Sequence, residues 1–367
     1  MTGAATRAAR LARVRAAMAE QGVDVLLLSL GADLPWLTGY EAMPLERLTM
    51  LVLPADGDAT LVVPRLEAPR VEHDPALFAL HPWDETTDPV AVVASLVGTR
   101  AALAVSDRTW ATFVLQLQAA LPRATFTVTS AVTGSLRATK DPEERDALRR
   151  AAAAADRVAG RLQGGEIALV GRTEAEVSAE LGRQLLAEGH QKVNFAIVAA
   201  GEHAASPHHE PGPRVIGRDE VVLCDFGGTA DLYCSDITRC VYTGEPPAEF
   251  RELYSVLQAA QAAGVAAARV GTPCAEVDAA ARTVIADAGW GDCFVHRTGH
   301  GIGLEAHEDP YLVAGNDVPL AAGHAFSVEP GIYVPGRWGA RLEDIVVATE
   351  TGPEALNHVD HDLAVVG

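Results

Sequence analysis

Five residues in the C-terminal half of this 367-residue chain constrain its fold more than any others: Asp225, Asp236, His300, Glu329 and Glu343. Each stands in a short, distinctive setting. These are Cys224-Asp225-Phe226-Gly227, Ser235-Asp236-Ile237-Thr238-Arg239, Gly299-His300-Gly301-Ile302-Gly303-Leu304, Val328-Glu329-Pro330-Gly331-Ile332-Tyr333 and Arg341-Leu342-Glu343-Asp344. One acidic residue beside a glycine carries little information. Five in this order describe side chains that a fold must bring to one point from separate segments.

The residue types indicate what such a point could hold. A pair of divalent ions about 3.5–4 Å apart requires several anionic oxygens, some of them shared. Four carboxylates set four negative charges against four positive ones, so the cluster can be buried near neutrality. Without cations it would be costly, or would take up protons. The single histidine marks one ion as distinct. Ligation rich in oxygen and free of thiolate favours Mn²⁺, Co²⁺ or Fe²⁺ over a structural Zn²⁺ site. A water shared by the two ions would be deprotonated near neutral pH and serve as a nucleophile.

Length makes two domains the expectation, and 49% hydrophobic with 21% charged residues is a globular composition. The net charge of −20 opposes binding to nucleic acid and to anionic membrane surfaces. Positive charge is almost all arginine, Lys140 and Lys192 being the only lysines, which reads as a coding bias. Cys224, Cys234, Cys240, Cys274 and Cys293 are odd in number and form no C-x-x-C, so reduced thiols in a cytoplasmic protein are expected. No stretch approaches the ~20 apolar residues of a membrane span. Arg7, Arg10, Arg13 and Arg15 faintly suggest a transit peptide, but Leu11, Val14 and Met18 recur at helical spacing, so an amphipathic first helix is the better reading.

A short apolar run at Val23–Leu30 predicts a buried strand. Thr49–Pro54 and Ala59–Pro64 flank Ala55-Asp56-Gly57-Asp58, a hairpin signal. Strands at Leu77–Leu80, Ala101–Val105 and Thr125–Val128 alternate with helices at Pro89–Leu96 and Thr109–Leu121, which describes a first α/β domain over residues 1–136. Asp141-Pro142-Glu143-Glu144 is a strong helix start, and Thr173-Glu174-Ala175-Glu176 is a capping box. Further helices are predicted at Pro247–Val270 and Ala275–Ala288. Strands are predicted at Val193–Val198, Val221–Phe226, Tyr233–Tyr242, Ala325–Val328, Gly331–Val334 and Asp344–Ala348. Residues 137–367 thus form an α+β domain with much antiparallel sheet. Asp225 and Asp236 flank a turn region read at Gly227-Gly228-Thr229, and Glu329 and Glu343 flank another around Pro335-Gly336-Arg337. Two ribbons, each carrying two carboxylates, could then face one another on rigid strands.

The five motifs resemble those of the pita-bread metallopeptidases, in the branch of Xaa-Pro dipeptidases (prolidases) and aminopeptidases P. His307-Glu308 after the glycine-rich motif and Ser206-Pro207-His208 before Asp225 extend the likeness, which covers roughly Asp141 to the C-terminus. Trp36-Leu37-Thr38-Gly39-Tyr40 extends it more weakly into the first domain. The resemblance implies a C-terminal pita-bread catalytic domain behind a smaller creatinase-N-like α/β domain. Asp225 would bind one metal, His300 and Glu329 the other, with Asp236 and Glu343 bridging. Glu329 would shuttle the proton, His208 and His307 would line the pocket and stabilise the tetrahedral intermediate, and Arg341 and Tyr333 would support ligands or substrate. It implies two divalent ions, Mn²⁺ foremost with Co²⁺, Fe²⁺ and Zn²⁺ as alternatives, and a homodimer acting on small peptides with proline second. An Xaa-Pro bond has no amide N–H and a fixed φ, so proteases that grip extended backbone handle it poorly.

Plainer readings apply elsewhere. His307-Glu308 lacks the second histidine of a zincin helix, Tyr311 standing in its place. His81, His203, His209 and His296 read as surface or packing histidines, and Asp231 as a turn residue. Prolidases commonly place an arginine between the second histidine and Glu-Pro-Gly to hold the substrate carboxylate, yet Glu308 to Val328 contains none. Arg337, Arg341 or a partner subunit could substitute. An aminopeptidase P-like preference for longer peptides therefore stays open, as does, from another class, a metal-free creatinase-like hydrolase or binding protein.

Overall fold

Strands form where β-branched and leucine runs are short and bounded by turns, and the pattern of burial shows which faces they cover. A computed structural model describes residues Gly3–Gly367, in two units that divide between Arg137 and Ala138. The first unit contains a six-stranded mixed sheet. Val25–Leu28 sits inside it, antiparallel to Met50–Pro54 and parallel to Ala102–Val105. All four residues of that strand are buried, as expected for a central strand covered on both faces. Val25, Leu27, Val52, Val62, Leu103 and Val105 pack with Val90, Val93 and Val97 of the helix Pro89–Val97 and with Leu117 of Ala111–Ala120.

The arginines of the first helix, Ala4–Gln21, do structural work. Leu11, Val14 and Met18 form its buried stripe. Arg10 is also buried, donating to the Trp36 carbonyl at 3.0 Å, and Arg7 donates to that of Thr38. Those carbonyls end a short helix, Asp33–Thr38. It lies in the aromatic-Leu-Thr-Gly segment, and its six residues are too few to show a period.

In the second unit the strand Val221–Ala230 pairs antiparallel with Lys192–Ala200 on one side and Ile237–Thr243 on the other. Side-chain alternation divides two cores. Val222, Cys224, Phe226, Ile237 and Val241 meet the helices Pro142–Gln163 and Glu174–Ala187, through residues such as Val158, Leu162, Val177 and Leu181. Val221, Leu223, Cys240 and Tyr242 meet Phe250, Leu253, Tyr254 and Leu257 of the helix Ala248–Ala267. Asp225 shares the alternation of Leu223, and so sits on the second face. Both predicted capping boxes form, at Asp141 with Glu144 and at Thr173 with Glu176.

A second sheet orders Glu308–Leu312, Gly299–Gly301, Ala325–Val328, Asp344–Thr349 and Gly352–Ala355. The hairpin Gly331–Val334/Trp338–Arg341 lies beside it in sequence, with Gly336 at φ 73 in the turn. The turn expected at Gly227-Gly228-Thr229 is not there. The strand runs straight through to Ala230, and the chain reverses at Asp231 and Leu232, both with positive φ. The glycines serve close approach: a Cβ on Gly227 would run into the Ser235 carbonyl, and one on Gly228 into that of Lys192.

Arg239, fully buried, fastens the two sheets together. It donates to the carbonyls of Glu343 at 2.7 Å and Thr238 at 3.0 Å, to Asp344 Oδ1 at 2.7 Å, and to the carbonyls of Val359 and Asp360 in the C-terminal segment. Removing one member of a buried charge pair leaves the other uncompensated. Arg239→Met should therefore cost about 3–5 kcal/mol of unfolding free energy in a urea titration. A loss below about 1 kcal/mol would show that Asp344 finds compensation elsewhere.

Candidate metal centre

Strand register brings the acidic motifs together. Thr238 is paired with Asp225 across the first sheet, and an isolated bridge joins Thr238 to Glu343. In the second sheet Val328 pairs with Asp344, so Glu329 and Glu343, each one residue beyond that pair, emerge from the same end of the ladder. His300 enters from the neighbouring strand, its N–H donating to Ser327 Oγ at 3.0 Å. A Cβ at Gly299 would collide with the Ser327 carbonyl, so the close approach of these strands requires glycine.

Donor atoms of Asp236, His300 and Glu343 lie within 4.8 Å of one another. His300 Nε2 is 3.2 Å from Glu329 Oε1 and 3.9 Å from Asp236 Oδ2. His300 Nδ1 lies 3.1 Å from the Gly301 carbonyl. A carbonyl only accepts, so Nδ1 carries a proton and Nε2 is the nitrogen that faces the carboxylates. Thr238 Oγ1 donates to Glu343 Oε2 at 2.6 Å, and Ser327 Oγ to Glu329 Oε1 at 3.1 Å.

Arg341 is the cation built into this cluster. It donates to Asp225 Oδ2 at 2.5 Å, Tyr333 Oη at 2.8 Å, Thr238 Oγ1 at 3.1 Å and the Pro207 carbonyl at 3.3 Å, and lies 3.9 Å from Glu329. Tyr333 Oη also meets His296 Nε2 at 2.8 Å, so His296, read above as a packing residue, belongs to this network. His307 stands edge-on to His300 with ring centroids 4.1 Å apart. His208 is exposed and makes no hydrogen bond among the described residues, but it lies close enough to His296 and His307 to act on both rings, and the carbonyl of its neighbour Pro207 accepts from Arg341.

One arginine cannot balance four carboxylates. Burial pushes the carboxyl of Asp236 well up, reinforced by the charges of Glu343 and Asp225. Burial does the same for Glu343, reinforced by Glu329 and Asp225. Burial also raises Asp225, against the pull of Arg341. Glu329 differs: burial raises it too, but the hydrogen bond and charge of His300 prevail and hold it low. His307 is pushed down by desolvation, then by His300 and Arg297, so its ring is neutral at pH 7. Asp225 Oδ1 is buried without a hydrogen-bond partner. An orphaned carboxylate oxygen beside carboxyls that repel one another into uptake of protons is a site that divalent cations fit.

Comparison with known proteins identifies the family of the chain. The model for metallopeptidase family M24 matches residues 145–350, and that for the creatinase/prolidase N-terminal domain matches residues 10–139. The chain belongs to metallopeptidase family M24. Its α+β fold is accordingly a creatinase/prolidase N-terminal domain followed by a pita-bread catalytic domain, and it is an enzyme of the peptidase class. A probable dipeptidase PepE of Mycobacterium tuberculosis is 46% identical over 364 residues, covering 98% of this chain and 96% of the relative. An Xaa-Pro dipeptidase of Lactobacillus helveticus is 35% identical over 354 residues, covering 94% and 95%. Among solved structures, dipeptidase PepE from Mycobacterium ulcerans matches with TM-score 0.91 at 45% identity, covering 99% of this chain and 98% of that one. A prolidase from Thermococcus sibiricus matches with TM-score 0.91 at 32% identity, covering 98% of both. No helix among the described residues is long and apolar enough to cross a membrane.

The sequence motifs did not point to Arg297. Its guanidinium lies 4.4 Å over the Tyr311 ring, and it is close enough to His307 to depress that ring's pKa. It is half-buried and makes no side-chain hydrogen bond or ion pair with any described residue. Arg337, by contrast, is exposed and held by both oxygens of Glu249 at 2.7 and 2.8 Å, and Arg341 is fully engaged. A signal was present in the sequence: Arg297 stands three residues before His300, outside the interval in which an arginine was sought.

Raised carboxyl pKa values have a defined consequence for this family member. Between the ordinary carboxylate range and the raised values of Asp236 and Glu343, the folded protein binds more protons than the unfolded chain. Metal-stripped protein therefore loses stability as pH rises through that window, and metal binding displaces the protons. Calorimetric titration of Mn²⁺ at about pH 6 in two buffers of different ionisation enthalpy should show proton release. Equal heats in both buffers would contradict this protonation state.

Proposed function

We propose that this metallopeptidase is a dinuclear Xaa-Pro dipeptidase. The observation that carries the reading is the meeting of Asp236, His300 and Glu343 donor atoms within 4.8 Å, with the partly buried Glu329 3.2 Å from His300 and a buried Asp225 oxygen left without a partner. Asp225, Asp236, His300, Glu329 and Glu343 would hold two divalent cations, Mn²⁺ suiting so oxygen-rich a set. Bound there, such cations polarise the scissile carbonyl and bring the pKa of a water near neutrality.

The protein's own groups divide the remaining work. Glu329, held ionised by its histidine neighbour, accepts a proton and passes it to the leaving proline nitrogen. His307, neutral and with one side open to solvent, donates an N–H to developing negative charge on the carbonyl oxygen, and His208 at the rim supplies a second donor. Arg341 and Tyr333 keep Asp225 oriented. None of these groups requires an amide N–H at the scissile bond, which proline lacks.

Arg297 supports the dipeptidase form of the reading. It offers an unpaired guanidinium, braced on Tyr311, beside His307. A free C-terminal carboxylate one residue beyond the scissile bond would pair with it bidentately. Resemblance to the family further supports a homodimer, which light scattering tests, and the five free cysteines suit a reducing, cytoplasmic setting.

Hydrolysis of Ala-Pro, Ala-Pro-Ala and Ala-Ala with added Mn²⁺ tests the function directly. Ala-Pro should be cleaved, with Ala-Pro-Ala and Ala-Ala poor substrates; equal rates on Ala-Pro-Ala would favour an aminopeptidase P-like enzyme. Glu329→Gln should lower kcat by about 10²–10⁴-fold with the fold retained by circular dichroism. An unchanged kcat would remove Glu329 from the proton path. Arg297→Ala should lower kcat/KM for Ala-Pro by about 10- to 150-fold, mostly through KM, the equivalent of one charge-assisted contact. An equal loss on a dipeptide amide, which has no carboxylate, would refute the anchoring role.

A further inference from the structure

Away from the carboxylate centre, three ligand-type side chains from different segments meet at one point. Glu174 opens the helix Glu174–Ala187, His203 lies in the 3-10 helix Gly201–Ala205, and His209 follows in the next loop. Glu174 is fully buried. Its Oε1 is 2.9 Å from His203 Nδ1, and its Oε2 is 2.8 Å from His209 Nε2. The Ala200 N–H donates to Oε1 at 2.9 Å, and the Gly212 N–H approaches Oε2 at 3.4 Å. The two imidazole rings are 4.4 Å apart at 37°, so both aim a nitrogen at the same carboxylate. One donor atom from each residue can be chosen with all three within 4.8 Å of one another.

We propose that Glu174, His203 and His209 form a third divalent cation site, chemically distinct from the carboxylate centre. Two imidazoles and one carboxylate make a three-ligand set with an open fourth position for water. The His203 side chain is 35% exposed and that of His209 16%, which provides an entry path for the ion and room for that water. Backbone N–H groups from Ala200 and Gly212 orient the carboxylate from behind. The two carboxylate–imidazole pairs, at hydrogen-bond distance, need open by only a few tenths of an ångström to reach the roughly 3.3 Å edge of a tetrahedral site with ~2.0 Å bonds. Imidazole-rich ligation ranks Zn²⁺ well above Mn²⁺, whereas the oxygen-rich centre suits Mn²⁺, so the two sites sort ions by kind. His208 lies immediately before His209. A cation here pins the chain on both sides of that residue, at His203 and at His209, and so holds the pocket rim in place.

The test is metal content, independent of turnover. Protein saturated with Mn²⁺, then given a slight excess of Zn²⁺ and desalted, is analysed by plasma mass spectrometry. Wild type should retain about one Zn²⁺ per chain, and His203→Asn and His209→Gln should each lose it while keeping their Mn²⁺. Those two substitutions place an amide N–H where the imidazole nitrogen stood. They preserve the hydrogen bond to Glu174 while removing a good ligand, and circular dichroism confirms folding. Zn²⁺ equal in wild type and both variants, or absent from all three, overturns the proposal and leaves Glu174 as the hub of a hydrogen-bonded clamp only. The Mn²⁺ count reports separately on the dinuclear reading, so either can fail alone.

Discussion

Like charges resist being buried together, and the catalytic unit is organised around that resistance. Asp225, Asp236 and Glu343 are buried, and Glu329 partly so, within reach of one another, with Arg341 as the built-in cation. An isolated loop would relax away from such a cluster. Here each carboxylate is mounted on, or one residue beyond, a strand paired on both sides or locked through a neighbour, so the backbone cannot yield. The repulsion is expressed as raised carboxyl pKa values instead of as movement. That stored unfavourable energy is what cations would release on binding.

Support comes from groups that carry no chemistry themselves. Thr238 lies at the junction: it pairs with Asp225 in one sheet, bridges to Glu343 in the other, and accepts from Arg341 while donating to Glu343. Behind it, Arg239 spends its whole guanidinium on backbone carbonyls and Asp344. One residue along the strand therefore faces the centre and the next ties the sheets together, a direct use of period-2 alternation. Lys140 shows a related economy. It is one of two lysines in the chain, and it is buried in an ion pair with Glu308 at 2.6 Å, beside the strand that follows His307.

Much of the secondary structure could be read from the sequence because its signals are local. The helix Pro142–Gln163 begins at a capping residue followed by proline and glutamates, and Val221–Ala230 begins as an apolar run. Errors arose where a residue type has two uses. Gly227 and Gly228 suggested a turn, but in a strand they make room for neighbouring carbonyls. The partners of His203, His209 and His296 could not be read, because nothing near them in sequence shows that Glu174 or Tyr333 waits across the fold. The segments Gly299–Gly301 and Trp338–Arg341 were not foreseen as strands, being too short and too rich in glycine or charge to show alternation.

By itself the sequence determined the identity of the acidic and imidazole groups, the order of helices and strands that carry them, and hence membership of a family. Those properties reside in short motifs, where local chemistry is enough. Only the tertiary structure decided which atoms meet. It turns His300 Nε2 toward Glu329, leaves one oxygen of Asp225 without a partner, commits Arg341 and Arg337 to other carboxylates while Arg297 stays unpaired, and gathers Glu174 with two histidines. Distances between residues far apart in the chain are set by strand register and by the packing of helices on two faces of one sheet, and neither is written in any single segment.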